Sequence, residues 1–132
     1  MNLKIDYENL IIDNNTYTLC DIDFIINNGK IKIYFKDGTT KTVFNNYKIK
    51  NRLGCFLDIA YAVSSINKNF IVVKNNILLN LNNVKSLSAT DSGVNLSTKY
   101  FDLQLIDLTN EQIKTISNKL AENKFLADAI LL

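Results

Sequence analysis

The chain has 132 residues, 47% of them apolar, and a formal net charge of +2. A chain of this length is expected to fold as one domain, residues 1–132, burying roughly two-thirds of its unfolded surface. It contains no histidine, which excludes Ser-His-Asp and Cys-His catalysis and removes the commonest metal ligand.

In chain order, weak strand material lies around Leu3–Ile5 and Leu10–Ile12. A firmer strand is predicted from Thr16 to Ile26. Asn28-Gly29 then signals a hairpin turn whose two central positions take positive φ. Ile31, Ile33 and Phe35 alternate with Lys30, Lys32, Tyr34 and Lys36, the period of a strand with one buried face. Asp37-Gly38 marks a second turn, and Thr40–Phe44 returns, so residues 16–45 read as a three-stranded meander.

The periodicity then changes. Phe56, Ile59, Ala60, Val63 and Ile66 recur at helical spacing, which predicts a helix over about 52–66 with Asn51 as its N-cap. Strands are expected at Phe70–Val73, Ile77–Leu81, Val94–Ser97 and Tyr100–Ile106. Thr109 and Gln112 form a capping box, opening a C-terminal helix over about 109–127. Its apolar stripe runs through Ile113, Ile116 and Leu120 and on to Ala127 and Ile130, and the last residues, from Leu126, are unusually apolar; Ile113, Ile116, Leu120, Leu126 and Ile130 are the candidate interface. Docking onto the sheet, a partner interface and a homo-oligomer contact are all readings of that stripe. The class is α+β: a mostly antiparallel sheet, one mid-chain helix and one C-terminal helix. A seven-stranded barrel closed by a terminal helix, as in pleckstrin-homology-like domains, fits the same string of elements.

No apolar run reaches the roughly 18 residues of a membrane span, and MNLKIDYENL carries acids where a signal peptide carries a basic and then an apolar region. A cytoplasmic protein with no membrane partner is expected. Cys20 and Cys55 stand in no CxxC or metal spacing and read as small buried hydrophobes. No grouping of residues suggests a cofactor, a metal site or catalysis. Asp21 and Asp23 are expected to share the wet face of a strand. The chain is rich in Asn, Ile and Lys, a bias expected of an AT-rich genome such as that of a low-GC bacterium, its phage or a mobile element.

Charge is unevenly placed. Residues 1–29 carry net −4. Residues 30–52 carry net +6, through Lys30, Lys32, Lys36, Lys41, Lys48, Lys50 and Arg52 against Asp37. Such a segment marks either an anionic-partner surface or a hairpin whose lysines deter edge pairing.

The stretch FIVVKNNILLNLNNVKSL, Phe70–Leu87, has two short apolar strands around Lys74-Asn75-Asn76. It resembles the segment that marks LytTR-type DNA-binding domains of bacterial response regulators. Phe70 takes the opening aromatic, Leu79-Asn80 the Val-Asn pair, Leu81 the Leu and Val84 the Ile. The Arg, His and Ser positions of that pattern hold Val72, Lys74 and Asn76. DIDFIINNGKIKIYFKDG, Asp21–Gly38, is similar to the family's strand, turn and strand, and the likeness spans about residues 19–98. It implies a small mostly-β domain that reaches duplex grooves with loops and turns. Lys74, Asn75 and Asn76 would be contacts, and the loop Asn27–Lys30 matches a second contact region by location. Lysine would neutralise phosphates and asparagine would pair with adenine or bond phosphate oxygens. Asn80 is expected to be structural, bonding backbone at a strand end.

Two functions are therefore expected from this sequence. The first is a non-enzymatic module binding double-stranded DNA as a small transcriptional regulator, through Lys74, Asn75, Asn76, Lys30, Lys32, Lys50 and Arg52. The alternative is a phage- or mobile-element-encoded inhibitor that binds or sequesters a host protein or ligand.

Overall fold

The computed structural model describes residues 3–44, 49–122 and 130–131. Its class is the expected α+β, with twelve strands and two helices among those residues. They form two compact units, Met1–Asn80 and Leu81–Leu132. The strands make three open sheets, each with two end strands, so no closed barrel stands among the described residues.

In the first unit, β1 (Leu3–Asp6), β2 (Asn9–Ile12) and β3 (Asn15–Thr18) make a three-stranded antiparallel sheet. Its two-residue loops begin with Tyr7 and Asp13, at φ 54° and 55°. Aspartate tolerates that left-handed backbone; a tyrosine there is an outlier.

The strand expected from Thr16 to Ile26 is broken. One turn of 3-10 helix at Leu19–Asp21 separates β3 from β4 (Ile22–Asn27). Leu19 is buried, and its N–H donates to the Glu8 carbonyl at 2.7 Å. That tie ends the first sheet, and the chain passes into the second. Asp21 and Asp23 consequently do not share a wet face: Asp21 lies in the turn and Asp23 is buried.

The second sheet joins β4, β5 (Ile31–Phe35), β6 (Thr40–Phe44), β7 (Phe70–Val73) and β8 (Ile77–Asn80) in the order β6-β5-β4-β8-β7. The helix α1 (Ile49–Ile66) falls between β6 and β7 in the chain. It begins three residues before the expected start, so Asn51 is inside it and does not cap it. Phe56, Ile59, Ala60 and Val63 fall on one helical face, as their spacing requires. All four are buried in one cluster with Ile25, Ile33, Phe70 and Leu78 of the second sheet and Leu10 and Ile12 of the first. Burial of each large side chain contributes about 1.5–3 kcal/mol.

β4 and β8 pair antiparallel, Phe24 against Leu79, Ile25 against Leu78 and Ile26 against Ile77. On its other side β4 carries a bulge, because Ile22 faces Phe35 while Phe24 faces Tyr34, leaving Asp23 as the extra residue. Asn80, 2% exposed, donates from its Nδ2 to the Ile22 carbonyl at 2.9 Å. It holds the β8 end against the bulge, which is the structural role expected of it.

In the second unit, one turn of 3-10 helix at Leu81–Asn83 takes the place of the expected strand end at Leu81. β9 (Ser86–Ala89), β10 (Val94–Ser97) and β11 (Asp102–Leu105) follow, then α2 (Asn110–Glu122) and the short β12 (Ile130–Leu131), in sheet order β11-β10-β9-β12. β9 was not expected, since Ser-Leu-Ser-Ala has little strand propensity; its pairing with β10 holds it extended. Gly93 is required where it stands, because a Cβ would strike the Leu105 carbonyl oxygen.

The capping box forms: Thr109 N–H donates to Gln112 Oε1 at 2.9 Å, and Gln112 N–H to Thr109 Oγ1 at 3.1 Å. Ile116 and Leu120 are buried and Ile113 is half-buried, so these positions do not form the open apolar stripe a partner interface would need. Ile130 is not on a helical stripe but in β12, parallel to β9. Leu126 and the expected helix beyond Glu122 lie outside the described residues. No helix among the described residues is long and apolar enough to cross a membrane.

Asn80→Ala removes a bond from a fully buried site and is expected to cost about 1–3 kcal/mol, read as a lower denaturation midpoint with unchanged slope. An unchanged midpoint would deny the bond its role.

Candidate functional site

The β4–β8 pairing brings two loops to one end of the five-stranded sheet. β4 runs into the loop Asn28–Lys30, and β8 begins after the loop Lys74–Asn76. The Asn27 N–H donates to the Asn76 carbonyl at 2.9 Å, so the loops are neighbours. Residues 28, 29, 30, 74 and 75 are exposed, and Asn27 and Asn76 are half-buried.

The second loop is a tight turn closed by Asn76 N–H donating to the Val73 carbonyl at 3.3 Å. Its two central residues, Lys74 and Asn75, have φ 57° and 61°, the pair of left-handed residues a type I′ turn requires. The Asn-Asn pair suits such backbone, but the left-handed positions are Lys74 and Asn75 and do not include Asn76. Asparagine adopts it readily. A non-glycine residue held in the left-handed region costs about 1–3 kcal/mol, so lysine at this position is a departure from the turn's own preference.

The first loop also differs from expectation. Asn27 pairs with Ile31, so the loop has three residues, and Gly29 (φ 74°) is its only left-handed residue. Asn28 N–H donates to the Lys30 carbonyl at 2.9 Å.

Of the basic residues singled out, Lys30 and Lys74 sit on these two adjacent loops. Lys32 does not join them: its Nζ lies over the Tyr34 ring, 5.8 Å from the centroid, and Tyr34 is two residues farther along β5. Lys50 and Arg52 lie in the first turns of α1, and their side chains are outside the described residues. Asn28, which carries the Asn-Gly turn signal, stands exposed on the first loop beside Lys30.

The opposite end of the same sheet has a different character. There the β5–β6 loop carries Lys36, Asp37 and Gly38. Lys36 Nζ pairs with Asp21 Oδ1 at 3.0 Å, with both side chains about half exposed, so a cation of the basic segment is committed to the acidic one. The Asp21 carboxylate raises the Lys36 pKa, first through the hydrogen bond and then through its charge. Asp37 Oδ1 accepts from the Thr39 hydroxyl at 2.6 Å and the Thr39 N–H at 2.9 Å, and these bonds lower its pKa. Asp21, Phe35, Lys36, Asp37 and Thr39 line a hollow of about 290 Å³.

A further open hollow, about 430 Å³, lies on the polar face of β9, β10 and β11 between Ser86, Ser88, Asn95, Ser97, Asp102 and Gln104. The Ser86 and Ser97 hydroxyls are hydrogen-bonded there. Among the described residues, no three His, Cys, Asp or Glu side chains gather where a metal ion could sit. Cys20 is exposed rather than buried, and Cys55 is half-buried; neither is in a disulfide. No protein-family model, curated protein or solved structure matches the chain.

The Asp37 geometry makes a pH prediction. A carboxylate with a depressed folded pKa adds stability above its unfolded value, near 3.9, and that stability is lost as pH falls through the folded value. Thr39→Val removes the hydroxyl and is expected to move the Asp37 titration upward in an NMR pH series. An unmoved titration would remove the hydroxyl as the cause.

Proposed function

We propose that this chain is a non-enzymatic DNA-binding module, a small transcriptional regulator that holds double-stranded DNA at the paired loops Asn28–Lys30 and Lys74–Asn76. The observation that carries the reading is the Asn27 N–H to Asn76 carbonyl bond. Through it, the two regions that the LytTR resemblance marks as contacts, far apart in sequence, stand side by side. Two hairpin loops on adjacent strands make a narrow edge, and B-DNA's major groove, about 12 Å wide, admits a two-stranded ribbon.

The roles follow from the chemistry. Lys30 and Lys74 neutralise phosphates as point charges. Asn28 and Asn75, both exposed, present amides that can pair bidentately with adenine. Asn76 is half-buried, and its backbone joins the loops, so it acts as a positioning residue. With Arg52 as the single arginine of the chain, guanine readout by a planar fork has little to draw on, and AT-rich duplex is the expected target. The left-handed Lys74 fits the same reading, since strain of this kind gathers at functional sites.

Lys74→Gly separates the two roles of that residue. Relief of the left-handed strain is expected to raise stability by about 1 kcal/mol. Loss of the charge is expected to weaken binding to an AT-rich duplex and to lower the slope of log affinity against log salt by about 1. Denaturation and fluorescence anisotropy read the two effects. Wild-type protein that shows no binding at low salt, or a Lys74→Gly variant that binds as tightly as wild type, contradicts the proposal.

A further inference from the structure

Two loops of the five-stranded sheet set an amide or acid immediately before a glycine: Asn28-Gly29 and Asp37-Gly38. Both glycines are left-handed, at φ 74° and 90°. Their surroundings differ. Gly38 N–H is committed to the Phe35 carbonyl at 3.0 Å, and Asp37 Oδ1 is held by the Thr39 N–H and hydroxyl. Among the described residues, the Gly29 N–H meets no acceptor and the Asn28 amide makes no hydrogen bond. Asn28 is exposed, and nothing lies within 4 Å of where a Cβ on Gly29 would stand.

We propose that Asn28 is a site of spontaneous covalent modification, deamidation through a succinimide, and that the fold protects Asp37 from the equivalent reaction. Hydroxide removes the Gly29 amide proton, and the nitrogen attacks Asn28 Cγ. The new N–Cγ bond forms as the Cγ–Nδ2 bond breaks, and Nδ2 takes a proton from water to leave as ammonia. Water then opens the ring at either carbonyl, leaving aspartate or isoaspartate. The sum is amide plus water to carboxylate plus ammonium, with no oxidant or reductant. A glycine after the asparagine offers least steric resistance to ring closure, and here its nitrogen is uncommitted. At Asp37 the same nitrogen is already donating, and the Thr39 bonds favour the carboxylate, the form with the poorer leaving group.

The consequence rests on the DNA-binding reading. Conversion puts a negative charge between Asn27 and Lys30, beside the Lys74 turn, and the isoaspartate product also lengthens the loop backbone by one carbon. Phosphate attraction at this end falls by about one charge, so binding weakens and the salt slope drops by about 1.

Full-length protein is incubated at mildly alkaline pH to follow Asn28 and at about pH 5, where part of an unfolded aspartate is still protonated, to follow Asp37, each folded and in parallel in urea, then mapped by fragmentation mass spectrometry, with isoaspartate scored by isoaspartyl methyltransferase. Folded protein is expected to convert at Asn28 ahead of its other asparagines and to leave Asp37 intact, whereas unfolded chain converts at both. Asn28→Gln abolishes the conversion. A folded chain that keeps Asn28 as the amide while the unfolded chain loses it overturns the proposal, as does isomerisation of Asp37 at equal rates in both. Converted and unconverted forms, separated by ion exchange, are then titrated with AT-rich duplex. Weaker binding by the converted form supports the consequence, and equal binding overturns it. If neither form binds duplex, the DNA reading fails while the mass map still decides the modification.

Discussion

The ladder between β4 and β8 is the constraint on which the first unit depends. It joins strands more than fifty residues apart in sequence and makes one sheet of the β4-β5-β6 meander and the β7–β8 hairpin. Asparagines fix it at both ends. The Asn80 side chain holds the Ile22 carbonyl beside the bulge at one end, and the Asn76 backbone accepts from Asn27 at the other. Because successive side chains point to opposite faces, a slip of one residue in β8 would turn Leu78 away from the cluster it shares with Ile25 and α1. The same slip would part the two loops. Core and candidate site thus depend on one register.

That register also divides the charge. In the sequence, residues 30–52 look like a single basic block. In the fold, Lys30 stands at one end of the sheet, Lys36 is paired with Asp21 at the other, and Lys32 lies over Tyr34 between them. The positive loop end is built from Lys30 and from Lys74, which is outside the block. A net charge over a sequence window therefore describes the charge of the folded surface poorly here, because a meander sends consecutive loops to opposite ends. The loop end also has two local tensions: a lysine in backbone that suits glycine or asparagine, and an Asn-Gly pair whose glycine N–H meets no acceptor among the described residues.

Much of the fold was legible in the residues. Alternation at Ile31, Ile33 and Phe35 located β5, helical spacing from Phe56 to Val63 located the buried face of α1, and Thr109 with Gln112 located the start of α2. What failed depended on contacts distant in sequence. The break at Leu19 follows from a bond to Glu8, and Leu19 reads locally as one more strand residue. β9 is extended because β10 pairs with it. Ile130 matched a helical stripe by spacing and is instead a strand residue beside β9. For the site, the sequence supplied the Lys74–Asn76 turn and, through the resemblance, the Asn27–Lys30 loop. Their adjacency was not legible, because it follows from a pairing across two hairpins and a helix.

The account's central claim is that the two adjacent loops form one surface for duplex DNA. It is tested most directly by titrating ¹⁵N-labelled protein with an AT-rich duplex at low salt and following backbone amide shifts. The account predicts that the largest changes fall together on Asn28, Gly29, Lys30, Lys74 and Asn75, while Asp37 and Thr39 at the far end of the sheet stay in place. Shifts confined to the far end or to β9–β11, or no shifts at all, would contradict it.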